Sequence, residues 1–174
     1  MLFCVMAFSM EVYAQKGMNS VGVDIPVGYG KKNVWAGLGI KYQYNITNFI
    51  RVEPTFSFFP IHSTNYFQVE GHDYQLRVEW QAFANCHFFV QSPKTARPFF
   101  ILGAGMTHWK PESDSYDVYD SFAFNGGLGL DVRLAYNWSM QFKALAILPT
   151  KNNEAKFRHG RVIFTGSIGL SYNF

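Results

Sequence analysis

Along most of this chain, apolar residues occupy every second position. A period of two marks a β-strand with one apolar face, because successive side chains leave a strand on opposite sides. The pattern predicts eight strands, over residues 20–27, 36–44, 50–58, 74–84, 100–106, 122–134, 140–148 and 162–174. The first sets Val21, Val23, Ile25 and Val27 against Ser20, Gly22 and Asp24. The fourth sets Leu76, Val78, Trp80 and Ala82 against Arg77, Glu79 and Gln81. The last sets Phe164, Ile168, Leu170, Tyr172 and Phe174 against Thr165, Ser167, Ser171 and Asn173. Most of these segments reach the roughly 9–11 residues that a tilted strand needs to cross a bilayer.

Charge follows the same alternation. The apolar faces carry no charged residue, whereas the opposite faces carry Asp24, Lys41, Arg51, Glu53, Arg77, Glu79, Asp131, Arg133 and Lys143. A Lys or Arg facing lipid at mid-bilayer costs about 2–4 kcal/mol. Such segregation therefore fits lipid outside and an ion-paired interior. Connector lengths alternate as well. Links at 45–48, 90–98 and 135–139 are short to moderate, and those at 59–73, 107–121 and 149–160 are long. The 28–33 link is read as a tight hairpin built on Gly28, Gly30 and Asn33. Aromatics gather at the expected strand ends: Tyr42, Tyr44, Phe49, Phe88, Phe89, Phe99, Tyr136, Trp138, Tyr172 and Phe174 towards one rim, and Tyr29, Trp35, Phe58, Phe59, Tyr74, Trp109 and Phe122 towards the other. Short turns on one rim, long loops on the other and two aromatic girdles are the layout of an outer-membrane barrel. The expected fold is all-β: a closed eight-stranded antiparallel transmembrane barrel with up-and-down topology.

Composition narrows the class further. The 174 residues include 18 Phe, 10 Tyr and 4 Trp, and only 16% are charged. Disorder needs the reverse balance. No apolar run reaches the roughly 18 residues of a transmembrane helix. A net charge of +3, spread along the chain, gives no nucleic-acid footprint. Residues 1–14 read as a signal peptide cut after Ala14, with 15–174 as the barrel domain. No Lys or Arg precedes the apolar run, so the true start is expected a few residues upstream. Removal of Cys4 with that segment leaves Cys86 alone, without an internal disulfide.

The last strand ends Gly166-Ser-Ile-Gly-Leu-Ser-Tyr-Asn-Phe174. With seven strands upstream, residues 18–174 resemble the small eight-stranded outer-membrane barrels: the membrane domain of outer-membrane protein A, the OmpX type and the porin-like barrels of Bacteroidota. The resemblance implies insertion into a Gram-negative outer membrane. It also implies that Ile168, Leu170, Tyr172 and Phe174 form the signal read by the barrel assembly machinery. Pro26 and Pro54 lie within strands, where a closed barrel has no edge to absorb a missing N–H, and both are read as bulges or strand ends.

The inward charges alternate in sign, Arg51 with Glu53, Arg77 with Glu79 and Asp131 with Arg133, and are expected to plug the lumen. Lys151, Lys156, Arg158 and Arg161 gather in the last long loop, where they suit the phosphates of lipopolysaccharide. Loop histidines such as His62, His72, His108 and His159, beside Ser63, Ser113 and Ser115, could in principle build a lipid A-modifying hydrolase, but they carry no enzyme motif. The acids between Glu112 and Asp120 lack calcium-loop spacing. No catalytic, cofactor or metal residue is assigned. The expected role is a structural or surface-interaction barrel, monomeric, with outer-membrane lipid and lipopolysaccharide as partners and no nucleic acid. The alternatives are a lipid A-modifying enzyme, a small pore and a soluble lipocalin-like carrier. Inward charges and a terminal strand argue against the carrier.

Overall fold

The computed structural model describes residues 18–30, 33–62, 67–69, 72–74, 76–90, 95–111, 119–150 and 162–174. The expected signal segment and the Lys151–Arg161 cluster lie outside the described residues. The strands are β1 (Asn19–Gly30), β2 (Asn33–Asn45), β3 (Ile50–His62), β4 (Phe67–Val69), β5 (His72–Tyr74), β6 (Leu76–Phe89), β7 (Ala96–Pro111), β8 (Tyr119–Arg133), β9 (Trp138–Pro149) and β10 (Ile163–Asn173). Eight of them close a barrel in the order β1-β10-β9-β8-β7-β6-β3-β2, every neighbouring pair antiparallel. β4 and β5 form a separate two-stranded hairpin within the connection that the sequence pattern leaves as a loop. Most observed strands outrun the predicted ones, whereas β10 falls within its expected 162–174. β7 continues to Pro111, which moves His108 from a loop onto the wall.

Closure requires stagger. From Asp24, partners run through Gly39, Ser57, Gln81 and Thr107 to Ser121 on β8; the other way, through Gly169 and Gln141, they reach Asp131 on the same strand, ten residues from Ser121. The wall is thus strongly tilted, and β1 and β10 are stitched at the short-turn rim by Asn19 and Phe174, each bonded through its N–H to the other's carbonyl.

The outward faces are apolar over most of their height: Val21, Val23, Ile25, Leu38, Ile40, Phe100, Leu102, Phe124, Leu128, Phe164 and Ile168 are all exposed. Tyr42, Tyr44, Phe49, Tyr136, Trp138, Tyr172 and Phe174 ring one rim, Tyr29, Phe58 and Phe122 the other. The girdles are thinner than expected, because Trp35, Phe59, Phe89 and Phe99 point into the barrel and are buried. Parity explains it. In Phe58-Phe59, Phe88-Phe89 and Phe99-Phe100 only one ring of each pair can face lipid. Val78 is also inward and buried, against expectation. One extra residue in β6, Glu79, shifts the register between Val78 and Trp80 and reverses the faces above it.

A second irregularity falls in β3. Two steps on β2, from Ala36 to Leu38, oppose three on β3, from Ile61 to Phe58, so the excess lies at Phe59-Pro60. Pro26 and Pro54 are neither bulges nor strand ends. Each holds its register against one neighbour, as Pro26↔Ser167 and Pro54↔Ala84. On the β2 side of each, the pairing skips two positions and then resumes in the same register. The missing N–H groups therefore both fall on β2.

Candidate functional site

Inward side chains occupy the interior in layers. Towards the long-loop end, Trp35, Phe59, Val78, Phe83, Ala123, Ile147 and Ile163 form an apolar cluster. Large rings fit there because glycine faces them. A Cβ on Gly28 would strike the Trp35 indole, and one on Gly37 or Gly105 would meet the Phe58 or Ala82 carbonyl first and then the Phe59 or Phe83 ring. At the other end, Gly129 leaves room for Phe99 in the same way.

Below the apolar layer lies a belt of charge. Asp24, Lys41, Arg51, Glu53, Asp131 and Lys143, six of the residues expected to line the lumen, are buried there. Lys143 Nζ lies 2.8 Å from Asp24 and 2.9 Å from Glu53, and Lys41 Nζ lies 2.6 Å from Asp24. Arg51 Nη1 lies 2.6 Å from Asp131. Neutral amides join these pairs. Gln141 accepts from Lys41 at 2.9 Å and from Gln43 at 2.8 Å and donates to Asp131 at 3.2 Å; Gln43 also donates to Glu53 at 2.5 Å. Asn45 accepts from Arg51 Nε and donates to the Met18 carbonyl. His87 stacks on Phe99, with centroids 4.6 Å apart, and its Nε2 stands 3.5 Å from Glu53. Sequence reasoning left out Gln43, Gln141, Asn45 and His87. Their parity with Lys41, Arg51 and Lys143 was the available signal.

Three expected members differ. Arg133 has the right parity but sits at the rim, and its guanidinium donates to the Ala135 and Tyr136 carbonyls of its own turn. Glu79 is carried out of the lumen by the β6 irregularity. It faces His108 Nε2 at 3.6 Å on the outer wall, with its side chain 34% exposed. The Arg77 side chain lies outside the described residues, although its backbone pairs with Lys110. His108 also meets Asp120, Nδ1 to Oδ1 at 2.7 Å, and stacks on Trp80. Among the described residues no group of three or more His, Cys, Asp or Glu could hold a metal ion.

The short-turn mouth is edged by Arg97. Its guanidinium carbon lies 4.3 Å from the Phe89 centroid, and that of Arg51 lies 4.7 Å from the same ring. Arg97 Nη2 donates to the Asn48 carbonyl at 2.8 Å, tying the start of β7 to the β2–β3 turn.

A family described as "Outer membrane protein beta-barrel domain" matches residues 1–174. No curated protein sequence matches the chain. Among solved structures, the Neisserial surface protein A is similar, with a TM-score of 0.62, 12% identity and coverage of 92% of this chain and 98% of that one. OprG of Pseudomonas aeruginosa gives 0.56, 12%, 92% and 97%. Ail, the attachment invasion locus protein of Yersinia pestis, gives 0.55, 17%, 92% and 100%. At these identities the likeness is one of fold.

Proposed function

The chain belongs to the outer membrane protein beta-barrel family and so to the outer membrane of Gram-negative bacteria, and from that premise we propose that it is a structural, surface-interacting barrel whose lumen is closed. The observation that carries this reading is the belt in which Lys143, Asp24, Glu53 and Lys41 satisfy one another across the interior. An eight-stranded barrel is just wide enough to be filled by side chains. Among the described residues, buried charges of both signs, linked by amides and capped by an apolar layer, leave no continuous row of unpaired charge for an ion to follow. The strand ending in Ile168, Leu170, Tyr172 and Phe174 serves as the recognition element for barrel assembly. The long-loop cluster of Lys151, Lys156, Arg158 and Arg161 contacts lipopolysaccharide phosphates, and the barrel works as a monomer.

No enzymatic role is part of this reading. His108 has a carboxylate near each ring nitrogen, so neither nitrogen is turned towards a hydroxyl nucleophile among the described residues.

Planar-bilayer recording tests the closed lumen. Purified protein should insert, judged by slower or faster gel migration before heating, and yet give no stable conductance step. A reproducible ohmic step from inserted wild-type protein would overturn it.

A further inference from the structure

The belt of buried charge is balanced at its centre and unbalanced at the short-turn mouth. Lys41 and Lys143 share Asp24 and Glu53, two cations with two carboxylates. Closer to the mouth, Arg51 and Arg97 gather at one phenyl ring, and the carboxylate beside them is Asp131, paired with Arg51 and opposite Arg97 in register. Asp131 already takes Arg51 at 2.6 Å and Gln141 at 3.2 Å through one oxygen, Oδ2. Arg97 is half-buried, and its one hydrogen bond among the described residues goes to a neutral carbonyl. A guanidinium carries five donors in a planar fork. It is held here by Phe89 on one side and by the Asn48 carbonyl at one nitrogen. Orientation is therefore fixed, while donor capacity and one positive charge remain over.

We propose that this mouth is a phosphate-binding site, in which Arg97 grips two oxygens of a phosphate group and Arg51, behind the same ring, adds its field. Arg suits this task because its fork matches phosphate oxygens bidentately, and the neighbouring Asp131 carboxylate already takes Arg51 as its ion-pair partner. By the layout of such barrels the short turns face the periplasm. Two sources of the group are then within reach: the headgroup of an inner-leaflet phospholipid and a free periplasmic phosphate. Exposed Phe49, Tyr136 and Trp138 place the mouth at the level of the headgroups. Arg133, the other rim cation among the described residues, is not part of the site, because its guanidinium is engaged by two carbonyls of its own turn.

The test uses the full barrel refolded in a neutral, phosphate-free sugar detergent, with the thermal midpoint as readout. One arm titrates inorganic phosphate against sodium chloride at equal ionic strength. The other adds short-chain phosphatidylglycerol against a short-chain diacylglycerol that lacks phosphate. A ligand that binds only the folded state raises the midpoint in a saturable way. Wild type and Arg133→Gln should both rise by a few degrees in at least one arm, and Arg97→Gln should not. Response to phosphate alone identifies the free anion, and response to the lipid alone identifies the headgroup. Should Arg97→Gln fail to fold, Arg97→Lys supplies the comparison: it keeps the charge and loses the fork, so half-saturation should move to about tenfold higher concentration. No saturable rise in either arm, a rise that survives Arg97→Gln, or an equal loss in Arg133→Gln would each overturn the site.

Discussion

Lys143 and Glu53 project from diametrically opposite strands, β9 and β3, four places apart in the ring of eight, and their charged ends meet at 2.9 Å. A single ion pair thus spans the barrel, and its side chains are almost wholly buried at 4% and 0% exposure. Removing Glu53 leaves Lys41 and Lys143 to share Asp24 alone, one carboxylate for two buried cations, and breaking a buried ion-pair set in this way costs about 3–5 kcal/mol. Glu53→Ala should therefore lower unfolding free energy by that order, measured by urea unfolding in phospholipid vesicles. Glu79→Ala should cost only about 0–1 kcal/mol, since its partner lies on the partly exposed outer wall. Equal losses would mean that Lys143 finds water when Glu53 is gone.

That contrast also shows where a sequence can be read and where it cannot. Alternation located all eight barrel strands and put Asp24, Lys41, Arg51, Glu53, Asp131 and Lys143 on the inner face, because a charge on the lipid-facing side is costly. It failed at residues 78 and 79, since a one-residue excess is not visible in a period of two yet turns Val78 inward and Glu79 outward. Alternation put Phe58 and Phe100 on the outward face, where they are exposed, but the girdle reading also counted their neighbours Phe59 and Phe99, which turn in and are buried; the opposing Gly129 leaves the space that Phe99 fills. Arg133 was placed on the correct face, but a long side chain at a strand end can reach the backbone of its own turn.

Gly129 offers a direct check of that ring-and-glycine fit. A Cβ at this position would overlap the Phe99 ring, which is itself buried at 1% exposure and stacked on His87. The ring is also flanked by Phe89, with centroids 5.1 Å apart. Gly129→Ala should destabilise by about 1–3 kcal/mol, as overpacked cores do. Combining it with Phe99→Leu should recover part of the loss, so that a double-mutant cycle in urea gives a non-zero coupling. Additive effects would show that the two positions do not share space.

Pro54 should be a site where stability can be gained. Its ring faces outward, and the lost N–H falls opposite Tyr42 of β2, where the ladder is interrupted between Lys41↔Thr55 and Tyr44↔Val52. A β-branched residue there suits the pleated lipid-facing surface and supplies the donor for the Tyr42 carbonyl. Pro54→Val should raise unfolding free energy by roughly 0.5–1.5 kcal/mol, the net worth of one intramolecular hydrogen bond. Amide exchange at the flanking β2 positions should slow in parallel. Unchanged exchange would place the weak seam elsewhere.

Phe174 separates a role in the finished barrel from a role in reaching it. In the folded protein its backbone closes the cylinder: its N–H donates to the Asn19 carbonyl at 2.9 Å, and its carbonyl accepts from Asn19 at 3.2 Å. The ring itself is 61% exposed on the outer face. Truncation to alanine keeps both backbone bonds and removes only lipid-facing area, so the refolded variant should unfold within about 1 kcal/mol of wild type, as expected for an exposed position. If Phe174, with Ile168, Leu170 and Tyr172, is the recognition element for assembly, the same substitution should reduce outer-membrane insertion in cells several-fold and leave unfolded chain in the periplasm. Fractionation and refolding stability are therefore measured on the one variant, Phe174→Ala. Loss of insertion with stability retained supports recognition. Parallel loss of both would assign the residue to barrel stability, and normal insertion would sink the assembly role.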